Sequence, residues 1–184
     1  MSKIYLFLAD GFEPVEALAP VDVMRRAGIN VVTVSIMGRT TVEAAHGIKV
    51  MADALFEETD FSDADGLVLP GGSLGTENLS ACEPLRALVA SANAEGKIIA
   101  AICAAPMVFG RMGILAGRRA TCYPGYESEL TGSKYTAAAV EQDENIITAC
   151  GPAASFEFGF TIVENICGDK AAAVIREQMR FNDL

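Results

Sequence analysis

Apolar residues recur along this chain with two different spacings, and the two alternate. Residues 3–8 (K-I-Y-L-F-L) form a short apolar run closed by Asp10-Gly11, the pattern of a buried strand. Residues 15–27 carry apolar side chains at 15, 18, 19, 23 and 24, close to the i, i+3, i+4 spacing of one helical face, and Gly28 provides a stop. Residues 30–36 (N-V-V-T-V-S-I) are β-branched enough for a second strand. Strand, helix and strand make a β-α-β unit with a right-handed crossover, which implies a parallel sheet.

The alternation continues down the chain. Residues 39–53 mix polar and apolar positions without helical period, and Gly47 points to a small hairpin or an excursion from the main sheet. A third buried strand at 66–69 is closed by Pro70-Gly71-Gly72, a helix at 83–94 is stopped by Gly96, and a fourth core strand occupies 97–102. A helix at 105–112 and a short strand at 120–122 follow, then two strands at 137–140 and 146–149 around a polar turn at 141–145. Helices at 156–166 and 170–179 close the chain, the second with Asp169 as its N-cap. No repeat or linker interrupts the order, so the predicted fold is a single α/β domain over residues 1–184, a mostly parallel sheet between helices.

Composition narrows the function classes. With 51% hydrophobic and 21% charged residues, the 184-residue chain has the content for a sizeable core. Fourteen Lys and Arg against 24 Asp and Glu give a net charge of -10, which repels nucleic-acid phosphates and anionic membrane surfaces. The apolar run at 4–9 is too short for a secretory signal. The stretch at 98–110 contains a proline and falls short of the ~18 residues that suggest a membrane span. A cytoplasmic location is therefore expected. Five cysteines without a C-x-x-C pair offer neither zinc-site nor dithiol spacing, and reduced thiols are expected.

Open parallel sheets collect reactive groups beyond the carboxyl ends of their strands. Three loops fall there. In the first, the strand ending at Ile102 runs straight into Cys103, and small residues two places to either side, Ala101 and Ala105, allow the tight strand-to-helix turn of a nucleophile elbow. Such a turn places sulfur at a helix N-terminus, which favours thiolate. The same segment equally fits an inert buried cysteine. In the second, Gly71, Gly72 and Ser73 follow a strand, so the N–H groups of Gly72 and Ala104 are candidates for an oxyanion hole, although Pro-Gly-Gly also makes an ordinary tight turn. In the third, Glu13 and Glu16 stand three apart at a helix start, where one can cap and the other face inward; solvated glutamates are commoner at such positions.

Taken in order, E-P-V-E-A (13–17), V-D-V-M-R-R-A-G-I (21–29), L-P-G-G-S-L-G (69–75), A-A-I-C-A-A-P (100–106) and C-G-P-A-A-S-F-E-F (150–158) resemble the ThiJ/PfpI family, in its DJ-1-like branch, within the class I glutamine amidotransferase-like superfamily. The resemblance runs from residue 4 to about 176. It implies a flavodoxin-like homodimer, without cofactor or metal, in which Cys103 lies beside a protonated Glu16. A thiolate and a carboxylate in contact repel, so such a pair is expected to share one proton across neutral pH. The family's other pocket groups map onto Arg26, Gly72, Ser73, Ala104 and Pro152, the last usually supplied near the site by the partner subunit. The sequence departs from the family where Tyr123, before Pro124, replaces a histidine. The only histidine, His46, falls where the family presents a basic residue toward the neighbouring subunit's site, and a lone histidine is more often a surface or packing residue.

Two functions follow from the resemblance. One is a cofactor-independent glyoxalase III-like or deglycase-like enzyme that converts a small reactive carbonyl, a 2-oxoaldehyde such as methylglyoxal or its early adducts, to a 2-hydroxy acid through a Cys103 hemithioacetal. The other is a redox-responsive sensor or chaperone using oxidation of Cys103. A protease is disfavoured because Ala104 stands where the protease-like branch has histidine. Cys122, beside Tyr123, is a candidate resolving thiol, with a packed strand cysteine the commoner reading.

Overall fold

In the computed structural model, which describes residues 2–181, the opening apolar run is an inner strand, β1 (Lys3–Leu8), of a seven-stranded sheet. Its side chains alternate between two cores. Ile4, Leu6 and Leu8 point into one and Tyr5 and Phe7 into the other, which is why the run is apolar throughout instead of alternating. Helix α1 (Pro14–Arg26) returns the chain to β2 (Asn30–Ser35), parallel to β1. An antiparallel hairpin, β3 (Thr41–Glu43) with β4 (Lys49–Met51), stands apart from the main sheet as expected, and β5 (Ala54–Leu55) adds an edge strand beside β2 that no sequence pattern announced.

The chain then crosses to the other side of β1. Strand β6 (Gly66–Leu69) pairs with β1, helices α2 (Ser73–Ala81) and α3 (Glu83–Ala94) follow, and β7 (Ile98–Ile102) pairs with β6. Helix α4 (Pro106–Arg111), a small two-stranded sheet of β8 (Arg119–Ala120) and β9 (Lys134–Tyr135), the hairpin β10 (Val140–Asp143) and β11 (Ile146–Ala149), and helices α5 (Ser155–Cys167) and α6 (Asp169–Gln178) complete the molecule. The main sheet runs β10-β11-β7-β6-β1-β2-β5, parallel except for β10. Helices α1, α5 and α6 cover one face and α3 and α4 the other, a flavodoxin-like three-layer α/β fold. Strand order reverses between β1 and β6, which opens a crevice beyond their carboxyl ends.

Three local expectations are corrected, and one helix stands where the sequence pattern offered no element. Residues 73–81 are helical, although S-L-G-T-E-N-L-S-A has a weak apolar stripe; the helix is held by burial of Gly75, Thr76, Leu79 and Ser80. The strand expected at 137–140 lies at Val140–Asp143, so polar residues assigned to the turn form an edge strand, whose outward side can stay polar. The short strand at 120–122 is Arg119–Ala120, and Cys122 lies beyond it. Gly168, at φ 86°, is the N-cap of α6, and Asp169 is that helix's first residue. No helix among the described residues is long and apolar enough to cross a membrane.

Candidate active site

Cys103 leaves β7 with φ 65°, in the left-handed region that a non-glycine residue rarely occupies. Its N–H donates to the Ala149 carbonyl at 2.8 Å, and its own carbonyl accepts from Tyr123 N–H at 2.8 Å, so neighbouring segments on both sides hold the unfavourable turn. Helix α4 starts three residues later at Pro106. This is the elbow that the small residues around Cys103 predicted.

Glu16 sits in the first turn of α1, fully buried. Oε2 accepts a hydrogen bond from Gly71 N–H at 3.0 Å. Oε1 has no hydrogen-bond partner of good geometry within the protein, and the carboxyl is close enough to the Cys103 thiol to couple with it. Gly71 is glycine for steric reasons: a Cβ there would collide with Glu16 Oε2 and Cys103 Cβ. Gly72, at φ 87°, packs against the Gly11–Glu13 turn so closely that a Cβ would strike the Gly11 carbonyl.

Electrostatics tie the two acids together. Burial pushes the Glu16 carboxyl up to about 7, with the Glu13 charge adding to it and the Cys103 and Gly71 hydrogen bonds opposing it. Burial and then the Glu16 charge push the Cys103 thiol up to about 12, against the pull of the Gly72 and Ala104 N–H groups at the sulfur. The thiolate that a helix N-terminus favours is thus opposed. The sulfur is buried, and burial together with its carboxylate neighbour outweighs the backbone donors. Ionising either group opposes ionising the other, so above about pH 7 the pair holds one proton between them.

The pair forms the floor of a cavity of about 810 Å³. Gly72, Ser73, Ala104, Tyr123 and Pro152, positions to which the resemblance pointed, line it. Pro152 and His46 line it within the chain that carries Cys103. His46, at φ 61°, is mostly exposed and stands at the rim with Nε2 3.4 Å from Glu13 Oε2. Arg26 lies outside the cavity. Ten residues beyond Glu16 on α1, it is carried roughly 15 Å along the helix and pairs with Asp22 at 2.9 Å. Cys122 is fully buried in the core opposite the one that holds Cys103, and burial pushes its thiol up to about 12, which is the packed-cysteine reading. Sequence reasoning missed Tyr126, whose hydroxyl donates to Ser73 Oγ at 3.0 Å; its spacing of three from Tyr123 in Y-P-G-Y was the available signal. It also missed Asp10 and Glu43 in the wall.

A strained cysteine thus follows one strand, a buried glutamate a second and a glycine pair a third, and the chain that carries them is similar to known proteins. The DJ-1/PfpI family profile matches residues 2–165. The chain belongs to the DJ-1/PfpI family. Among its relatives, protein DJ-1 homolog B of Arabidopsis thaliana is 39% identical over 175 residues, which is 94% of this chain and 40% of that protein, so the chain spans about two fifths of that relative's length. A protein of Pyrococcus abyssi named a deglycase is 32% identical over 152 residues, 82% of this chain and 90% of that one. The solved structure of oxidized DJ-1 from Toxoplasma gondii superposes with a TM-score of 0.93 at 30% identity, covering 97% of this chain and 98% of that one.

Proposed function

We propose that this DJ-1/PfpI protein is a cofactor-independent enzyme that converts methylglyoxal-type 2-oxoaldehydes, or their early adducts, to 2-hydroxy acids. One observation carries the reading: the buried Glu16 carboxyl stands beside the Cys103 thiol, and both line an open cavity. Glu16 takes the thiol proton as sulfur attacks the aldehyde carbon, and returns it to the carbonyl oxygen to give a hemithioacetal. As the S–C bond forms, negative charge moves from sulfur to that oxygen, and the Gly72 and Ala104 N–H groups follow it. Glu16 then removes the hydrogen on the former aldehyde carbon and delivers a proton to the adjacent carbonyl carbon, while the hydroxyl proton on the first carbon passes to the oxygen on the second, leaving a thioester beside an alcohol. One carbon is oxidised and its neighbour reduced, so no external oxidant is needed. Water cleaves the resulting thioester, releasing the 2-hydroxy acid and the thiol. The name of the Pyrococcus relative supports the deglycase form of this chemistry.

The test is lactate production from methylglyoxal without glutathione. Catalytic lactate from the wild type, abolished in Cys103→Ser and Glu16→Gln, supports the proposal; no lactate from the wild type overturns it. The redox reading rests on the two N–H groups at the sulfur, which would equally hold sulfinate oxygens. Selective addition of two oxygens to Cys103 by peroxide, without lactate turnover, favours it.

A further inference from the structure

The wall of the cavity is acidic. Asp10, Glu13, Glu16 and Glu43 line it, and among the described residues no lysine or arginine does. The arginine that reaches this wall is committed to it: Arg39 pairs with Asp10 and also donates to the Thr41 carbonyl. That leaves Glu13, Glu43 and the Glu16–Cys103 pair facing the cavity, with the rim imidazole of His46 against Glu13 and the Arg39 charge shared between Asp10 and Glu43. The charges act together, since the Glu13 carboxylate already disfavours ionisation of Glu16. Glu16, fully buried, lines this negative funnel beside the thiol, and its Oε1 lacks a hydrogen-bond partner of good geometry. A concave site lined by one sign of charge concentrates ligands of the other sign and repels its own.

We propose that the cavity filters carbonyl compounds by charge: neutral 2-oxoaldehydes and the adducts they form with cationic amines are admitted to Cys103, and carbonyl compounds bearing a carboxylate or phosphate are rejected. Naming carbonyls as the ligands rests on the function proposed above. The filter itself is a property of the path to the sulfur and is read without turnover.

The test is therefore alkylation of Cys103 in the full-length protein at low ionic strength. In each reaction the thiolate sulfur forms a bond to the reagent's methylene carbon as iodide leaves, and the two reagents, neutral iodoacetamide and anionic iodoacetate, differ mainly in charge. The ratio of their second-order rates, normalised to the same ratio for free cysteine, is followed by peptide mass spectrometry. Iodoacetate is expected to be disfavoured by about tenfold or more, the effect of a few partly screened charges nearby. The penalty shrinks in Glu13→Gln and in Glu43→Gln, and shrinks with added salt. An iodoacetate ratio equal to or above that of free cysteine overturns the filter, as does a penalty that neither variant nor salt changes, because that would be steric. A charge-selective Cys103 in a protein that makes no lactate would sink the enzyme reading and leave the filter standing; lactate formation with no charge selectivity would do the reverse.

Discussion

Burial of Glu16 couples the chemistry of the site to the stability of the fold. Its carboxyl titrates near 7 in the folded protein against an ordinary 4.5, with burial as the main cause. As pH rises the unfolded chain gives up this proton first. Stability held by the protonated carboxyl is complete below about 4.5 and is lost as pH climbs through 7. The swing amounts to roughly 3 kcal/mol. Urea titrations at about pH 5 and about pH 8 should show this loss in the wild type and its absence in Glu16→Gln. The same ionisation governs reactivity: alkylation of Cys103 should rise about tenfold per pH unit below 7 and then level off, a profile Glu16→Gln removes. At Gly71 the constraint is steric, because an added Cβ meets both acids and the Ile102 carbonyl. Gly71→Ala should cost about 2 kcal/mol or more in thermal unfolding and disable Cys103, since nothing around it is free to move.

At the scale of elements, the elbow between β7 and α4 stores strain. A non-glycine residue at φ 65° costs about 1 kcal/mol relative to glycine, and here the bonds from Ala149 and Tyr123 hold it in place. Cys103→Gly should therefore unfold at a higher temperature than Cys103→Ala, by about 1 kcal/mol in stability, with both inactive. This elbow was legible because small residues flank the cysteine between an unbroken apolar strand and a helix. Helix α2 was not, because its stability comes from a surface it buries against the Gly11–Glu13 turn and not from its own sequence. Strand β10 was displaced for a related reason: its polar residues meet partners that only the fold supplies, such as Arg119 against Glu141 and against the Gln142 carbonyl.

Over the whole molecule, the strand order gathers three distant loops into one crevice, and the acidic balance surrounds it. The family resemblance predicts a homodimer, and the half-exposed Val15 and Leu18 place an unburied apolar stripe on α1 close to the Glu16 turn. Sedimentation should give twice the 19.4 kDa chain mass. Leu18→Asp should weaken association by about tenfold or more, near 1.4 kcal/mol, because it adds a charge to a subunit already at -10. Added salt should tighten the wild-type dimer by screening that repulsion.

By itself the sequence determined the alternating β/α order, the parallel inner strands, the elbow at Cys103 and the glycine turn after β6, because each is written in local spacing, side-chain size and backbone freedom. Glu16 was singled out by resemblance alone, since one acid among 24 looks like any other until burial changes its proton affinity. Tertiary structure decided the rest. It brought His46 and Pro152 to the cavity that holds Cys103, carried Arg26 away along α1, sealed Cys122 in the opposite core and set Asp10 and Glu43 in the wall. Each of these depends on which loops the strand order brings together and which groups it takes out of water, and neither is a property of neighbouring residues in the chain.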